Sequence, residues 1–360
     1  ALSGSLAQSM GRFEQARTHL LAAWYAGIDL NEWQVLPALA HTLRYADSQH
    51  PDRALLESAL ATSALSPMTR AALHFALGKL HDDCGEPAQA VTHWRGAHAA
   101  TSEVTRWDAA RWQQRVQLAQ RVQPIAPSAP VAYAPVLIVG MPRSGTTVLA
   151  EQLACSATLT NRGEMPFLLH VHEQLAGQTW QAQECATGRA LWMAHLRQDD
   201  IPAKSHYIDK NPLNLLALET AFALCAETRV IWCHRDRADN ALSLWSQSFA
   251  HADYLFSHRF EDIARVQDDC TLLRQHAHAR WPDRVIDLDY AQLVQTPEAT
   301  LRNIFAHLGI DPPAGVATTT QSAIGSASLW QARQPVHARS LGRARDYHAW
   351  IPELDGFLDC

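Results

Sequence analysis

The stretch PVLIVGMPRSGTTVLAEQL, residues 135–153, joins an apolar run to a glycine turn and then to a helical pattern. A strand that leads through such a turn into a helix is typical of a phosphate-binding loop, because the free amides at the start of the helix attract an anion. Gly140 and Gly145 have the spacing of the nucleotide-hydrolase loop G-x-x-x-x-G-K-[ST], but Thr146 stands where the lysine is expected. The sequence therefore predicts a phosphate loop that works without that lysine.

The composition of the chain limits the classes of function. With 360 residues, two domains are expected, and 47% apolar with 18% charged residues is typical of globular proteins. A net charge of −6 argues against a nucleic-acid partner. No run approaches the roughly 20 apolar residues that cross a bilayer, and seven scattered cysteines without a C-x-x-C pair predict reduced thiols in the cytoplasm. Histidine pairs such as His170 and His172 point to different helical faces, so no metal site is expected.

Residues 1–121 are predicted to be helical, with an internal repeat. The segment HFALGKLHDDCGEPAQAVTHWRGA, residues 74–97, has small and bulky residues at Leu77, Gly78, Gly85, Ala90, Trp94 and Ala97. The same spacing occurs near the start of the chain at Gly4, Gly11, Ala16, Leu20 and Ala23. Gly11 and Gly85 lie 74 positions apart, close to two repeats of about 34 residues. The region resembles tetratricopeptide repeats, and the alternative is a plain helical bundle.

A linker and an α/β domain are predicted after the helices. Residues 122–135 contain four prolines without a helical period, which indicates a linker. Short apolar runs then alternate with helical stretches and predict strands at 136–140, 229–235 and 284–290. Continuously apolar strands between helices favour a parallel sheet covered on both faces. We therefore expect a P-loop-type α/β domain over residues 136–360.

A second strand–helix turn has the character of an anion site. In RVIWCHRDRADNALSLWSQSF, residues 229–249, Arg235 ends the strand, Asp236 is placed to cap the helix, and Ser243 lies two turns further on. A nucleotide hydrolase would end this strand in a metal-holding aspartate, whereas this chain has a cation. Arg143 adds a second fixed cation inside the first loop. The two turns thus predict two anion sites without a metal.

Together these motifs resemble the sulfotransferases that use 3′-phosphoadenosine 5′-phosphosulfate, most closely the tyrosylprotein sulfotransferase-like branch. The similarity extends over most of residues 136–310 and includes NRGEMPFL, DKNPLN and LDYAQLVQTPEATLRNIFAHLGI. It implies that the 5′-phosphosulfate is bound by Arg143, Ser144, Gly145, Thr146 and Thr147. It also implies that Arg235 and Ser243, eight positions apart, bind the 3′-phosphate.

The resemblance implies catalytic roles for three residues. Glu164 matches the family's catalytic glutamate and would act as the general base, although a lone glutamate after a turn is more often a surface residue. Lys210 would neutralise charge at the bridging oxygen, and its alternative is an ion pair with Asp209. Arg143 would contact the transferred group. Arg162 is a further candidate for contact with the acceptor or the sulfate.

The resemblance also implies contacts to the nucleotide from late segments. Tyr290 matches a tyrosine near the nucleotide, and the alternative is packing against the helix that follows it. Ser340 and Arg343, in the segment 335–350, are candidates for contacts to the 3′-phosphate or adenine. Many relatives have a tryptophan where Ala344 stands, so the match is looser here.

The function implied is in-line transfer of a sulfuryl group from 3′-phosphoadenosine 5′-phosphosulfate to an acceptor hydroxyl, leaving adenosine 3′,5′-bisphosphate. Two alternatives stay open: a P-loop kinase, against which Thr146 counts, and an inactive repeat scaffold, against which the presence of Glu164 and Arg143 counts. The acceptor is expected to be a peptide or protein docked on the helical repeats, and a saccharide, lipid or small metabolite is an alternative. Aromatic residues that could line such a docking face, or pack in the core, are Trp24, Tyr25, Trp33 and Trp94.

Overall fold

The first third of the chain is helical. The structure is a computed structural model that describes residues 1–121, 133–175, 182–200, 203–249, 251–313 and 338–358. The helices of the first range are α1 (Leu2–Ser9), α2 (Phe13–Tyr25), α3 (Val35–Ala40), α4 (Pro51–Leu60), α5 (Pro67–Asp83), α6 (Pro87–Ser102) and α7 (Ala109–Ala119). The prediction of helices over residues 1–121 is confirmed.

Two helical hairpins share one packing geometry. In the pair α5–α6, a Cβ atom on Gly78 would lie 2.3 Å from Nε1 of Trp94, so only glycine lets the indole reach the facing helix. In the pair α1–α2, a Cβ atom on Gly4 would lie 2.8 Å from the side chain of Leu20. Both turns contain a glycine with a φ of +74°, Gly11 and Gly85. The repeated spacing therefore corresponds to repeated structure, and its assignment to tetratricopeptide repeats stays a prediction.

A parallel five-stranded sheet follows the helices. Its strands are β1 (Ala134–Gly140), β2 (Leu159–Asn161), β3 (His206–Asp209), β4 (Arg229–His234) and β5 (Val285–Asp289), in the order β2-β3-β1-β4-β5. The three strands predicted from the sequence are confirmed, with ends shifted by one or two residues. Ala134 and Pro135, assigned to the linker, instead begin β1. Residues 122–132 of that linker lie outside the described residues.

Helices cover both faces of the sheet. They are α8 (Thr146–Leu153), α9 (Phe167–Leu175), α10 (Ala182–Arg197), α11 (Leu218–Leu224), α12 (Arg237–Trp245), α13 (Phe260–Arg280), α14 (Tyr290–Gln295), α15 (Pro297–Leu308), α16 (Arg343–Tyr347) and α17 (Asp355–Leu358). Short 3₁₀ helices span Pro212–Ala217, Ala252–His258, Ala338–Ser340 and Pro352–Leu354. An α/β fold with a parallel sheet flanked by helices, preceded by a helical region, was predicted and is confirmed.

Successive side chains of β1 point to opposite faces of the sheet and pack into two different cores. Val136 and Ile138 pack with α8, α14 and α15, whereas Leu137 and Val139 belong to a second core on the opposite face. That second core is continuous with buried residues of α5, α6 and α7. The helical region therefore shares a hydrophobic core with the sheet, which burial of apolar surface stabilises. The predicted domain boundaries stay a prediction.

Polar contacts add to this shared core. Nε1 of Trp112 on α7 donates to Oδ2 of Asp269 on α13 at 2.8 Å, and Arg115 forms an ion pair with Asp253 at 3.1 Å. Arg95 on α6 pairs with Glu353 at 3.0 Å, and this last pair is exposed. The first two contacts involve buried groups, so they fix the orientation of the helical region on the sheet more firmly than the surface pair does.

Within the part of the chain that the structure describes, no helix is long and apolar enough to span a bilayer. In the same residues, no group of three or more histidine, cysteine, aspartate or glutamate side chains could hold a metal ion. The six cysteines described are free thiols.

A pair of buried histidines lies between the helical region and the α/β domain. His98 on α6 stacks on Trp245, and its Nε2 lies 2.9 Å from the carbonyl oxygen of Trp245. The carbonyl can only accept, so Nδ1 of His98 accepts in turn from Nδ1 of His258 at 2.8 Å. Burial lowers the pKa of His98 to about 3, helped by His258 and Arg95, and burial lowers the pKa of His258 to about 4.

Acid should weaken this contact. Because the folded-state pKa values of both histidines lie below the unfolded value near 6.5, their contribution to stability is present above that pH and is lost as the pH falls toward 4. We expect His258→Asn to reduce the loss of unfolding free energy between pH 7 and pH 5 by about 1–2 kcal/mol. Urea unfolding at both pH values measures this difference. His170→Asn, at an exposed site, is the control, and an unchanged loss in His258→Asn would contradict the assignment.

Candidate functional site

The predicted site residues lie together at the carboxyl edge of the sheet. In parallel α/β sheets this edge is where ligands bind. Each strand contributes the segment that follows it. In the order of the strands across the sheet, these contributions are Glu164, Lys210, the loop 141–145, Arg235 and Tyr290. Residues far apart in sequence are thus placed along one edge.

The phosphate loop is fixed by its surroundings. Gly140 has a φ of +135°, and a Cβ atom there would lie 2.1 Å from the carbonyl oxygen of Cys233 on β4. Asn240 on α12 donates from Nδ2 to the carbonyl of Pro142 at 2.9 Å, and Gln267 holds Asn240 at 3.1 Å. These contacts preorganise the loop before any ligand binds. Sequence reasoning missed Asn240 and Gln267, because only the fold brings them to the loop.

The loop ends at the start of α8. Gly145 is the N-terminal cap with a φ of +95°, so the N-terminal end of α8 lies at the end of the loop. Ser144 is different. Its amide and its hydroxyl both donate to the carbonyl of Met141, at 3.2 and 2.6 Å, so the Ser144 hydroxyl is used to shape the loop. Anion binding by the helix start and by the hydroxyls of Thr146 and Thr147 stays a prediction.

Arg143 adopts an unusual backbone conformation inside the loop. Its φ is +69°, in the left-handed region that residues with a Cβ rarely occupy, and such strain clusters at ligand sites. Its Nε donates to Oγ of Ser243 on α12 at 3.1 Å. Burial and then the charge of Arg235 lower the pKa of Arg143 to about 10, so the guanidinium stays charged at neutral pH. This hydrogen bond brings the two predicted strand–helix turns into contact.

Arg235 joins the loop to the late segment of the chain. It donates to the carbonyl of Arg143 at 3.3 Å and to the carbonyl of Ser340 at 2.5 Å, and it lies 4.9 Å above the ring of Tyr290. Among the described residues, its buried Nε has no hydrogen-bond partner. A buried, unsatisfied donor on a cation suits an anionic ligand. The hydroxyls of Tyr290 and Ser340 lie 2.9 Å apart.

Tyr290 packs on the phosphate loop. A Cβ atom on Gly145 would lie 2.5 Å from Cδ2 of Tyr290, so the ring rests directly on the glycine. Tyr290 therefore contacts the phosphate loop, and its predicted contact with the nucleotide stays a prediction.

The segment that carries Arg343 is held by a carboxylate that sequence reasoning missed. Asp239 on α12 accepts from the amides of Gly342 at 2.6 Å and Ala344 at 2.8 Å. Arg343, which follows Gly342, is close enough that its charge contributes to lowering the pKa of both Arg143 and Arg235. The structure therefore brings the predicted residues of the second anion site together with Arg343.

Glu164 and Lys210 form an ion pair at the neighbouring strand ends. Nζ of Lys210 lies 2.5 Å from Oε1 of Glu164, and the lysine is 3% exposed. The amide of Lys210 also donates to the carbonyl of Gly163 at 2.8 Å, which ties the two loops together. The alternative partner of Lys210, Asp209, accepts from the amides of Met165 and Asn211 at 3.2 Å each. Burial raises the pKa of Asp209 to about 7.

Arg162, a candidate for contact with the acceptor or the sulfate, bonds the end of α10 in this structure. Its Nε and Nη2 donate at 2.6 Å to the carbonyls of Leu196 and Arg197, and it pairs with Asp200 at 2.8 Å. A cation on the last carbonyls of a helix is a C-terminal cap. Arg162 therefore stabilises the end of α10 in this structure.

The fold is that of an α/β protein whose predicted site residues lie at the carboxyl edge of a parallel sheet. Residues 135–313 match a family model described as the sulfotransferase family.

Similar proteins have low identity to this chain. A protein of Aquifex aeolicus (strain VF5), described as "Uncharacterized protein", is 24% identical over 325 residues, which cover 82% of this chain and 42% of that protein. The chain thus spans less than half the length of this curated relative. The sulfotransferase domain from the Synechococcus PCC 7002 olefin synthase is 17% identical with a TM-score of 0.45, covering 70% of this chain and 98% of that domain. The sulfotransferase from Alicyclobacillus acidocaldarius is 12% identical with a TM-score of 0.37, covering 62% and 97%.

The contact of Gly145 with Tyr290 gives a test of the site. Gly145→Ala should displace the tyrosine from Arg235 and weaken binding of adenosine 3′,5′-bisphosphate about tenfold or more, because the new methyl group has no room. Calorimetric titration measures this affinity. Gly309→Ala is the matched control, since Gly309 has a similar φ of +69° with nothing within 4 Å of its Cβ position. Equal binding by both variants would show that the tyrosine contact is irrelevant to the anion.

Proposed function

We propose that the protein transfers a sulfuryl group from 3′-phosphoadenosine 5′-phosphosulfate to an acceptor hydroxyl. The observation that carries the proposal is the order of groups along the sheet edge. A carboxylate, a buried lysine, a helix N-terminus and a cluster of arginines follow one another from β2 to β5. This order fits an acceptor, a bridging oxygen, a 5′-phosphosulfate and a 3′-phosphate in sequence.

The donor would lie across the arginine side of the site. The 5′-phosphosulfate would accept from the first amides of α8 and from the hydroxyls of Thr146 and Thr147, with Arg143 beside the transferred group. The 3′-phosphate would lie between Arg235, Ser243 and Arg343. A sulfuryl group carries less negative charge than a phosphoryl group, so these donors suffice without a lysine at position 146. Ser144 would contribute by shaping the loop, and Tyr290 and Ser340 by holding Arg235.

The acceptor would lie on the side of Glu164. Its hydroxyl would give its proton to the Glu164 carboxylate while the new O–S bond forms. The bond from sulfur to the bridging oxygen breaks in the same step, and adenosine 3′,5′-bisphosphate leaves with the electron pair. Lys210 orients Glu164 in the resting site and would stabilise the charge on the bridging oxygen.

A peptide or protein hydroxyl is our preferred acceptor, in keeping with the tyrosylprotein-like motifs. The helical region would be its docking surface, although Trp94 cannot contribute, since it is 1% exposed between Gly78 and Tyr347. Tyr25 is 74% exposed and is better placed to meet a partner.

The phosphoryl-transfer alternative has less support. It needs a lysine and a metal-holding carboxylate at the loop, but position 146 is threonine, and Asp209 at the end of β3 accepts two backbone amides. The inactive-scaffold alternative would be favoured by the loss of Glu164 or Arg143, and both are present.

Nucleotide titration tests the donor. We expect the wild type to bind adenosine 3′,5′-bisphosphate without magnesium, and Arg235→Ala to bind it about ten- to a hundredfold more weakly, because charge-assisted hydrogen bonds to the phosphate are lost. Arg229→Ala, at the opposite end of the same strand, is the control. Binding of ATP with magnesium in place of the bisphosphate would favour the kinase alternative, and binding of neither would favour the scaffold.

Turnover tests the general base. Glu164→Gln keeps the size of the side chain but cannot accept the proton, so the rate of sulfuryl transfer should fall about a hundredfold or more while bisphosphate affinity is retained. The assay follows formation of adenosine 3′,5′-bisphosphate with tyrosine peptides, phenols and saccharides as acceptors. Glu298→Gln, exposed on α15, is the control. Full activity in Glu164→Gln would place the base elsewhere.

A further inference from the structure

A carboxylate of the helical region reaches the arginine cluster. Asp82, near the end of α5, accepts from Nη2 of Arg343 at 2.5 Å, across 261 positions of sequence. The same Oδ1 atom accepts from the hydroxyl of Tyr347. Arg343 and Tyr347 are the first and last residues of α16, so one carboxylate accepts hydrogen bonds from both ends of this short helix.

The helix α16 has little else to hold Arg343 in place. Five residues are too few to be stable alone. Asp239 secures the backbone of Gly342 and Ala344 from the α12 side, and Tyr347 packs 5.5 Å from the ring of Trp94 on α6. Apart from Asp82, the guanidinium group of Arg343 contacts the ring of Tyr347, 5.3 Å from its centroid.

The arginine cluster also needs a counter-charge. Burial and the charges of Arg235 and Arg343 lower the pKa of Arg143, and burial with the charge of Arg343 lowers the pKa of Arg235, so cations lie near one another here. Without a partner, Arg343 would turn away from the other two and toward solvent. Asp82 is 23% exposed and is the ion-pair partner of Arg343. Its charge offsets part of the repulsion and fixes the direction of the guanidinium.

We propose that Asp82 is a positioning residue of the nucleotide site, so that the helical region is a working part of the donor site. Asp82 acts through Arg343: it holds the guanidinium beside Arg235, where the 3′-phosphate binds. This inference rests on the proposed function, because it takes 3′-phosphoadenosine 5′-phosphosulfate as the donor. It gives the helical region a role that needs no docked acceptor.

Two simpler roles make different predictions. Asp82 could be a docking contact alone, like the exposed pair of Arg95 and Glu353 on the same helical hairpin. It could also compete with the 3′-phosphate for Arg343, in which case its removal would tighten nucleotide binding. Only a positioning role predicts weaker binding that depends on the 3′-phosphate.

The test compares two nucleotides by calorimetry. Adenosine 3′,5′-bisphosphate carries the 3′-phosphate, and adenosine 5′-monophosphate lacks it. We expect Asp82→Ala to weaken binding of the bisphosphate about tenfold and binding of the monophosphate less than twofold. Asp82→Glu should recover most of the loss, because the carboxylate is restored. Glu353→Ala is the matched control, and thermal unfolding of each variant measures how much stability it loses.

A double variant isolates the route through Arg343. In a protein that already carries Arg343→Ala, the additional change Asp82→Ala should not weaken binding of the bisphosphate any further. Unchanged or tighter bisphosphate binding in Asp82→Ala, or equal weakening for both nucleotides, would overturn the positioning role and leave the proposed function intact. If the wild type itself does not prefer the bisphosphate to the monophosphate, the proposed function fails, and the role of Asp82 fails with it.

Discussion

The close approach of the phosphate loop to its neighbours is the constraint on which the site depends. Gly140 allows the carbonyl of Cys233 to lie where a side chain would otherwise be, and Gly145 allows the ring of Tyr290 to rest on the loop. These two contacts bring β4 and the start of α14 against the loop. Arg235 can then donate to the carbonyl of Arg143, which joins the two predicted anion sites. A larger residue at Gly140 would push the loop away from β4, and one at Gly145 would push it away from Tyr290.

Gathering three arginines in one place is unfavourable without an anion, and the surrounding structure compensates for it. Carbonyl oxygens of Arg143 and Ser340 accept from Arg235, the Tyr290 ring lies beneath it, and Asp82 pairs with Arg343. Each of these groups holds a cation in place while leaving other guanidinium donors for a ligand. Such preorganisation means that little binding energy is spent on assembling the site.

The sequence predicts the parts of this structure that are encoded locally. The runs that form β1, β4 and β5 are long and apolar enough to be recognised, whereas β2 and β3 have three and four residues and are too short. The loop, Arg235 and Ser243 follow from motif spacing. The partners that organise them do not, because Asn240 and Asp82 meet the site only through tertiary packing. The pairing of Lys210 with Glu164, in place of Asp209, is likewise a product of loop geometry.

The shared core changes how the helical region should be understood. A docking module joined by a linker would be expected to contact its neighbour through a modest polar interface. Here α5, α6 and α7 instead bury apolar residues against the same face of the sheet as Leu137 and Val139. Trp94 packs against Tyr347, which lies about one helical turn after Arg343 and bonds the same carboxylate, Asp82. The helical region and the arginine cluster are therefore joined by apolar packing and by the hydrogen bond from Arg343 to Asp82.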